Sequence, residues 1–229
     1  MTPSVDFHAF APEIILSVTI LIVLLADLVW PERSRLLSSR IASIGVLAAL
    51  IPVITLAADG ANREMFGGAY VVDNYALALK AFFLVVAYGS LLVAVDYIGE
   101  GDYYQGEFYF LLLTSVLGMS VMASARDLIT IFVALETITI PTFVLAGWRK
   151  HDEGSNEAAI KYFLIGVLST AVMLYGMSII YGETNGSTLL RDISANIAIL
   201  DMMRGAPSIY MLYLGYDEVA HHSGPWTSD

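Results

Sequence analysis

The chain has 229 residues, of which 57% are hydrophobic and only 14% are charged. Soluble domains are usually about 45–50% apolar and about 25% charged, so this composition indicates a membrane protein. The net charge of −11 argues against nucleic acid as a partner. Because the chain has no cysteine, disulfides, thiolate catalysis and cysteine-ligated zinc or iron–sulfur centres are excluded.

Six apolar runs follow one another along the chain, and each approaches the roughly 20 residues that a spanning helix needs. They cover residues 12–30, 41–58, 75–95, 108–125, 128–148 and 160–181. None alternates as a membrane β-strand does, so the helix is the remaining structure in lipid. The predicted fold class is an all-α membrane protein with six transmembrane helices. The first run has no basic residue before it, and we interpret it as a retained span rather than a signal peptide.

The basic residues of the loops predict an orientation. Loops one and five carry Arg33, Arg35, Arg40, Arg149 and Lys150, whereas loops two and four carry Arg63 and Arg126. Positively charged loops usually face the cytoplasm. We therefore expect the odd-numbered loops inside and the N-terminus outside.

The region after the sixth run differs in character. Residues 182–190, "GETNGSTLL", are rich in turn formers. The next segment, "RDISANIAILDMMRG", predicts an amphipathic helix with Ile193, Ile197 and Leu200 on one side. The aromatic and branched stretch "SIYMLYLGY" predicts a strand. Residues 188–229 are thus expected to form a short helix–strand tail outside the membrane.

Glu136 is the most unusual residue of the fifth run. It lies eight residues from the start and twelve from the end, too deep to reach water easily. A charge at a helix centre costs at least about 2.5–3.5 kcal/mol on insertion scales. Thr139 shares its helix face, and Pro141 leaves the Thr137 carbonyl without its helical donor. These groups predict a polar site that passes protons; the alternative is a protonated Glu hydrogen-bonded to a neighbouring helix.

Two lysines lie nearer the ends of their runs. Lys161 follows Glu157 by four residues, which favours a local ion pair, and its position is typical of a side chain that reaches the interface. Lys80, six residues into the third run, has the same interpretation. Gly166 and Thr170, four residues apart, predict a close helix-packing face.

Three stretches carry a family resemblance: "ASARDLITIFVALETITIPTFVLAGW", "NEAAIKYFLIGVLSTAVMLYGMSIIYG" and "VVDNYALALKAFF". Over residues 10–187 the chain resembles subunit N of the proton-pumping NADH–quinone oxidoreductase, respiratory complex I. The resemblance implies an antiporter-like subunit of the bacterial inner membrane. It also implies that Glu136 and Lys161 belong to the charged chain that couples quinone reduction to proton movement.

The same resemblance implies partners and cofactors. The partners would be the lipid bilayer and the other membrane subunits of complex I, while NADH, flavin, iron–sulfur clusters and quinone would reside in those partner subunits rather than in this chain. The chain would be part of an enzyme without catalysing a reaction alone. Family members continue through a broken helix and a second, inverted helix set, so residues 1–187 are expected to be a truncated antiporter-like domain.

The tail has a different resemblance. Its segment "IYMLYLGYDEVAHHSGP" resembles the alkaline-phosphatase-like phosphodiesterase superfamily, in which an Asp at a strand end and a His four residues later bind a catalytic metal. The matching residues are Asp217 and His221, a ligand pair suited to zinc. The two resemblances meet near 187–190, which suggests a junction between unrelated fragments. A cation/proton antiporter subunit and a membrane-anchored metallophosphoesterase fragment are the alternative functions.

Overall fold

A computed structural model describes residues 5–29, 34–60, 62–99, 105–149 and 151–203. Seven α-helices lie within these ranges: α1 (Ala11–Val29), α2 (Ser34–Asp59), α3 (Asn74–Gly99), α4 (Gln105–Ser124), α5 (Leu128–Ala146), α6 (Glu153–Glu183) and α7 (Leu190–Met203). By length and composition, α1 to α6 can each cross a membrane. The predicted all-α fold with six spans is therefore confirmed, whereas the predicted tail strand lies outside the described residues.

The first four helices form a bundle around one apolar core. Helices α1 and α3 each pack against both α2 and α4, and α2 also contacts α4. Helices α1 and α3 therefore stand at opposite corners of the bundle. The core between the helices includes the fully buried Leu16, Val46, Leu84 and Leu113.

Helices α5 and α6 extend this bundle sideways, with α5 packed on α4 and α6 packed on α5. Gly118 allows the first of these contacts, because a Cβ atom there would lie 2.8 Å from Ile138 Cγ1 and 2.9 Å from the Ala134 carbonyl oxygen. Small residues let membrane helices approach closely in this way. Helix α6 has no buried residue, so most of its surface is left uncovered by the described part of the chain.

A two-stranded antiparallel hairpin covers one end of the bundle. Its strands are β1 (Arg63–Met65) and β2 (Tyr70–Val72), and Gly67 and Gly68 make the turn with φ angles of 68° and 93°. Glycine suits this turn because the left-handed region strains residues with a Cβ atom. The Arg126 amide donates to the Ala69 carbonyl at 2.8 Å, which joins the hairpin to the α4–α5 connection.

The connection after α6 returns to the same end. The Leu128 amide donates to the Thr188 carbonyl and the Leu190 amide donates to the Arg126 carbonyl, both at 2.9 Å. We call residues 63–72, 125–127 and 187–190 the hairpin end of the molecule. The N-terminal segment also reaches it, because the Phe10 ring packs edge-on against Tyr70 at 5.4 Å.

Helix α7 confirms the helix predicted after the sixth run. Ile193 is buried, but Ile197 is exposed, so the predicted apolar side is only partly covered. The Asn196 side-chain amide donates to the Thr184 carbonyl at 3.1 Å and holds α7 against the end of α6.

Candidate intramembrane charged sites

Glu136 lies on α5 where that helix packs against α6. Its carboxylate accepts a hydrogen bond from the Thr170 hydroxyl at 2.9 Å, and the side chain is partly buried. The predicted packing face of Gly166 and Thr170 is the face that meets α5. Phe143 fills the space above Gly166, where a Cβ atom would lie 2.2 Å from the ring. The glycine thus brings the two helices close enough for Thr170 to reach the carboxylate.

Thr139 lies three residues after Glu136, on the same face of α5. Thr139 Oγ1 is buried and has no hydrogen-bond partner within the described ranges. Helix α5 continues through Pro141 to Ala146, so the proline does not end the helix. A buried hydroxyl without a protein partner is a usual position for a bound water. Thr139 therefore offers a polar group for a water on the face of α5 that carries Glu136.

Lys161 forms the predicted ion pair with Glu157 on its own helix. Both side chains are about two-thirds exposed, at 68% and 66%. At a rise of about 1.5 Å per residue, Lys161 lies roughly 13 Å along α6 from Thr170. The structure therefore does not bring Lys161 into contact with Glu136.

Lys80 is buried, so the prediction that its side chain reaches the interface is wrong. Its side chain is fully buried and its Nζ atom lies 2.9 Å from Glu13 Oε1, with exposures of 0% and 2% for the two residues. The Lys80 ammonium also donates to the Tyr70 hydroxyl at 2.9 Å. The sequence pattern does not reveal this pair, because Glu13 precedes Lys80 by 67 residues, with most of α1, all of α2 and the hairpin between them.

Tyr70 connects the buried pair to the hairpin. Burial, reinforced by the nearby Glu13 carboxylate, raises the pKa of Tyr70, so its hydroxyl stays protonated at neutral pH. Its other polar neighbour is Ser124, the last residue of α4. Ser120, one helical turn before Ser124, is also fully buried, and its hydroxyl has no hydrogen-bond partner among the described residues.

A second ion pair lies at the hairpin end, closer to the surface. Arg126 Nη2 lies 2.9 Å from Asp73 Oδ2, and the side chains are 21% and 23% exposed. Asp73 also accepts the Ala76 amide at 2.7 Å and so caps the start of α3. The pair fixes the α4–α5 connection to the beginning of α3.

The described ranges contain no group of three or more potential metal ligands. Asp217 and His221, the metal ligands predicted from the tail resemblance, lie outside those ranges.

The chain is similar to known proteins both in sequence and in fold. Residues 125–216 match the transmembrane family described as NADH:quinone oxidoreductase/Mrp antiporter. An NAD(P)H-quinone oxidoreductase subunit 2 from Synechococcus sp. (strain JA-3-3Ab) is 35% identical over 230 residues, which cover 99% of this chain and 44% of the relative. Over nearly its whole length the chain is similar to members of the NADH:quinone oxidoreductase/Mrp antiporter family.

A second relative of this family is NADH-quinone oxidoreductase subunit N from Trichlorobacter lovleyi. It is 36% identical over 212 residues, which cover 93% of this chain and 42% of the relative. The chain therefore spans less than half the length of these curated relatives. As the apolar helices and the family both indicate, it is a multi-pass membrane protein.

Two solved structures contain a chain with a similar fold. A chain of respiratory complex I from Thermus thermophilus matches with a TM-score of 0.66 and 30% identity, covering 85% of this chain and 43% of that one. A chain of the archaeal membrane-bound sulfane sulfur reductase matches with a TM-score of 0.60 at 21% identity, which shows a shared fold alone.

The tail resemblance to phosphodiesterases is not borne out by these comparisons. The match to the antiporter family begins at residue 125 and continues to 216, beyond the predicted junction at 187–190. The alignment with the Synechococcus relative likewise covers 99% of the chain. The division into residues 1–187 and 188–229 stays a prediction, and the metallophosphoesterase alternative has no support.

Proposed function

We propose that this chain is a membrane subunit of an NADH–quinone oxidoreductase and that it takes part in proton translocation. Glu136 would carry the proton, and Lys161 would act as a second charge in the same relay. The observation that carries the proposal is a carboxylate in the middle of a spanning helix, held by a hydroxyl of the next helix. Ionisable residues at such depth are rare and usually functional.

The proposal assigns the redox chemistry to other subunits. The chain has no cysteine to bind iron–sulfur clusters, and its relatives are named as subunits of an NAD(P)H- or NADH-quinone oxidoreductase. NADH, flavin, iron–sulfur clusters and quinone would therefore be bound by partner subunits. This chain would contribute to the enzyme as a non-redox part in the bacterial inner membrane, in contact with lipid and with other membrane subunits.

Glu136 and Lys161 would influence each other electrostatically over a distance rather than as a contact pair. Lys161 lies roughly 13 Å along α6 from Thr170, the hydrogen-bond partner of Glu136. Solvent weakens this influence, because the Lys161 and Glu157 side chains are 68% and 66% exposed. Glu136 is therefore the main carrier in the proposed relay, and Lys161 is a secondary charge.

The test is the substitution Glu136→Gln in the assembled enzyme. Gln keeps the volume and accepts the Thr170 hydrogen bond, but it does not titrate, so we expect normal assembly with lower proton pumping and lower coupled electron transfer. Lys161→Ala should act in the same direction, and less than additively if both charges serve one relay. Pumping and NADH oxidation are measured in membrane vesicles. Glu153→Gln, an exposed position in the first turn of α6, is the matched control.

Full pumping by an assembled Glu136→Gln enzyme would show that the carboxylate is only a hydrogen-bonding group, and the proposal would then be wrong.

A cation/proton antiporter subunit is the second candidate, because the family description names Mrp antiporters as well. Purification of the tagged chain separates the two functions. Co-purification with redox subunits supports the first function. Cation–proton exchange in vesicles that contain neither NADH nor redox subunits supports the second.

A further inference from the structure

The Glu13–Lys80 pair crosses the interior of the four-helix bundle. It connects α1 with α3, which stand at opposite corners and otherwise contact α2 and α4. Both charges are removed from solvent. Burying two charges costs several kcal/mol per ion before their attraction is counted, and an apolar replacement of similar volume is often as stable. Stability alone therefore does not account for an ion pair at this place.

Polar groups lead from the pair towards the hairpin end. The Tyr70 hydroxyl accepts from Lys80 and lies beside both Glu13 and Ser124. Ser120 adds a buried hydroxyl one turn deeper along α4, unpartnered among the described residues. Such a group is a usual partner for a buried water. The pair thus lies in a hydratable polar region and not in a purely apolar core.

This region comes close to the aqueous surface. Asp73, partly exposed in its pair with Arg126, precedes Lys80 by seven residues on α3, which is about 10 Å along the helix. Glu13 is likewise only two residues from the start of α1. The buried pair therefore lies directly beneath the hairpin, where Lys80 Nζ is 2.9 Å from the hydroxyl of Tyr70 in β2.

The chemistry of the pair favours a proton over a metal ion. Lys80 already places a positive charge 2.9 Å from the carboxylate, which repels a second cation. A carboxylate and an ammonium can instead exchange protons, because each has one form with the proton and one without.

We propose that Glu13 and Lys80 form a second proton-handling site, which exchanges protons with the hairpin end past Tyr70 and Ser124. In the transfer, the carboxylate takes a proton from a hydronium ion, which becomes water, and the carboxylate becomes a carboxylic acid. The ammonium gives a proton to a water on the other side, which becomes hydronium, and the ammonium becomes an amine. The acid then passes its proton to the amine and restores the ion pair, so one proton enters, one leaves and no electron moves. This inference rests on the proposed function, because it adds a site to the same translocation.

The decisive variant is Glu13→Gln combined with Lys80→Met in the assembled enzyme. It removes both titrating groups together, so neither is left as an unpaired buried charge. We expect normal assembly and a fall of at least about tenfold in the initial rate of proton uptake, since a positioned proton-transfer group contributes about 10²–10⁴-fold to the step it serves. The ratio of protons moved to NADH oxidised is measured as well, because a merely structural role would not change it.

The matched control is Asp6→Asn combined with Arg63→Gln. This ion pair lies at the same end with a distance of 3.3 Å, but its side chains are 31% and 41% exposed. We expect it to pump normally. An assembled Glu13→Gln/Lys80→Met enzyme that also pumps normally would overturn the inference.

Tyr70→Phe decides the matter if the double variant does not assemble. The ring would keep its edge contacts with Phe10 and Phe66, at 5.4 Å and 6.5 Å, while the hydroxyl beside the pair is lost. We expect assembly with reduced pumping, and normal pumping from Tyr109→Phe, a buried tyrosine whose neighbour is Ser39. Normal pumping by Tyr70→Phe would refute the site.

Glu136→Gln is assayed in parallel to separate the two proposals. If Glu136→Gln is defective while the Glu13–Lys80 variants are normal, only the second site is rejected. If Glu136→Gln pumps normally, it is the proposed function of the Glu136 relay that fails.

Discussion

Thr170 is the residue that determines how Glu136 is held. It is the donor that α6 offers to the carboxylate, and the bond crosses a helix contact that also includes the Phe143–Tyr162 ring pair. A hydrogen bond to a charged group is worth about 1.5–3 kcal/mol, so its loss is large enough to disturb proton exchange at the carboxylate.

Thr170→Val should therefore lower proton pumping in the assembled enzyme, with a smaller effect than Glu136→Gln. Valine keeps the branched shape and removes only the hydroxyl. Thr137→Val is the control, because the Thr137 hydroxyl donates to the Val133 carbonyl within its own helix at 2.7 Å. Equal pumping rates in the two valine variants would show that the Thr170 hydroxyl has no special part.

At the scale of elements, α5 and α6 approach closely where the Phe143 ring meets Gly166. Phe143 lies against Gly166, and its ring packs edge-on with Tyr162 at 4.8 Å and with Phe163 at 5.7 Å. The ring therefore has little room to move away from a new side chain at Gly166.

Gly166→Ala should destabilise the chain, although alanine favours a helix by about 0.8–1.0 kcal/mol over glycine. The new Cβ would lie 2.2 Å from the Phe143 ring, and overpacking of this kind costs about 1–3 kcal/mol. Gly176→Ala on the same helix meets open space and should be neutral or stabilising. Thermal unfolding in detergent compares the two. A Gly166→Ala variant as stable as Gly176→Ala would contradict the close approach of α5 and α6.

At the scale of the whole molecule, the six spans place alternate connections on opposite faces. The N-terminal segment, the β-hairpin and the α4–α5 connection share the hairpin end, as an even number of spans between them requires. The count of basic residues predicts that this end faces outside, and that orientation stays a prediction.

Labelling tests the orientation, because the chain has no cysteine of its own. Asn62→Cys lies beside the hairpin, and His151→Cys lies in the α5–α6 connection; both positions are exposed. A membrane-impermeant maleimide should label Asn62→Cys in right-side-out vesicles and His151→Cys in inverted ones. The reverse pattern would contradict the predicted orientation, and labelling from one face would contradict the three spans between the two positions.

The sequence by itself determined the number and type of the spanning elements. Runs of about 20 apolar residues leave the backbone no structure in lipid except the helix, so composition along the chain decided α1 to α6. It also indicated Glu136, because a carboxylate in the middle of such a run is costly, and the Lys161–Glu157 pair, because residues four apart on a helix are neighbours.

Only the tertiary structure decided which polar groups meet. Lys80 had the depth of a side chain that reaches water, yet the bundle turns it inward to Glu13, 67 positions earlier in the chain. The spacing of Gly166 and Thr170 predicts only a packing face, yet the Thr170 hydroxyl also reaches Glu136 across the helix contact. Local spacing determines the faces of one helix, whereas the partner of a buried charge depends on which faces of different helices are packed together.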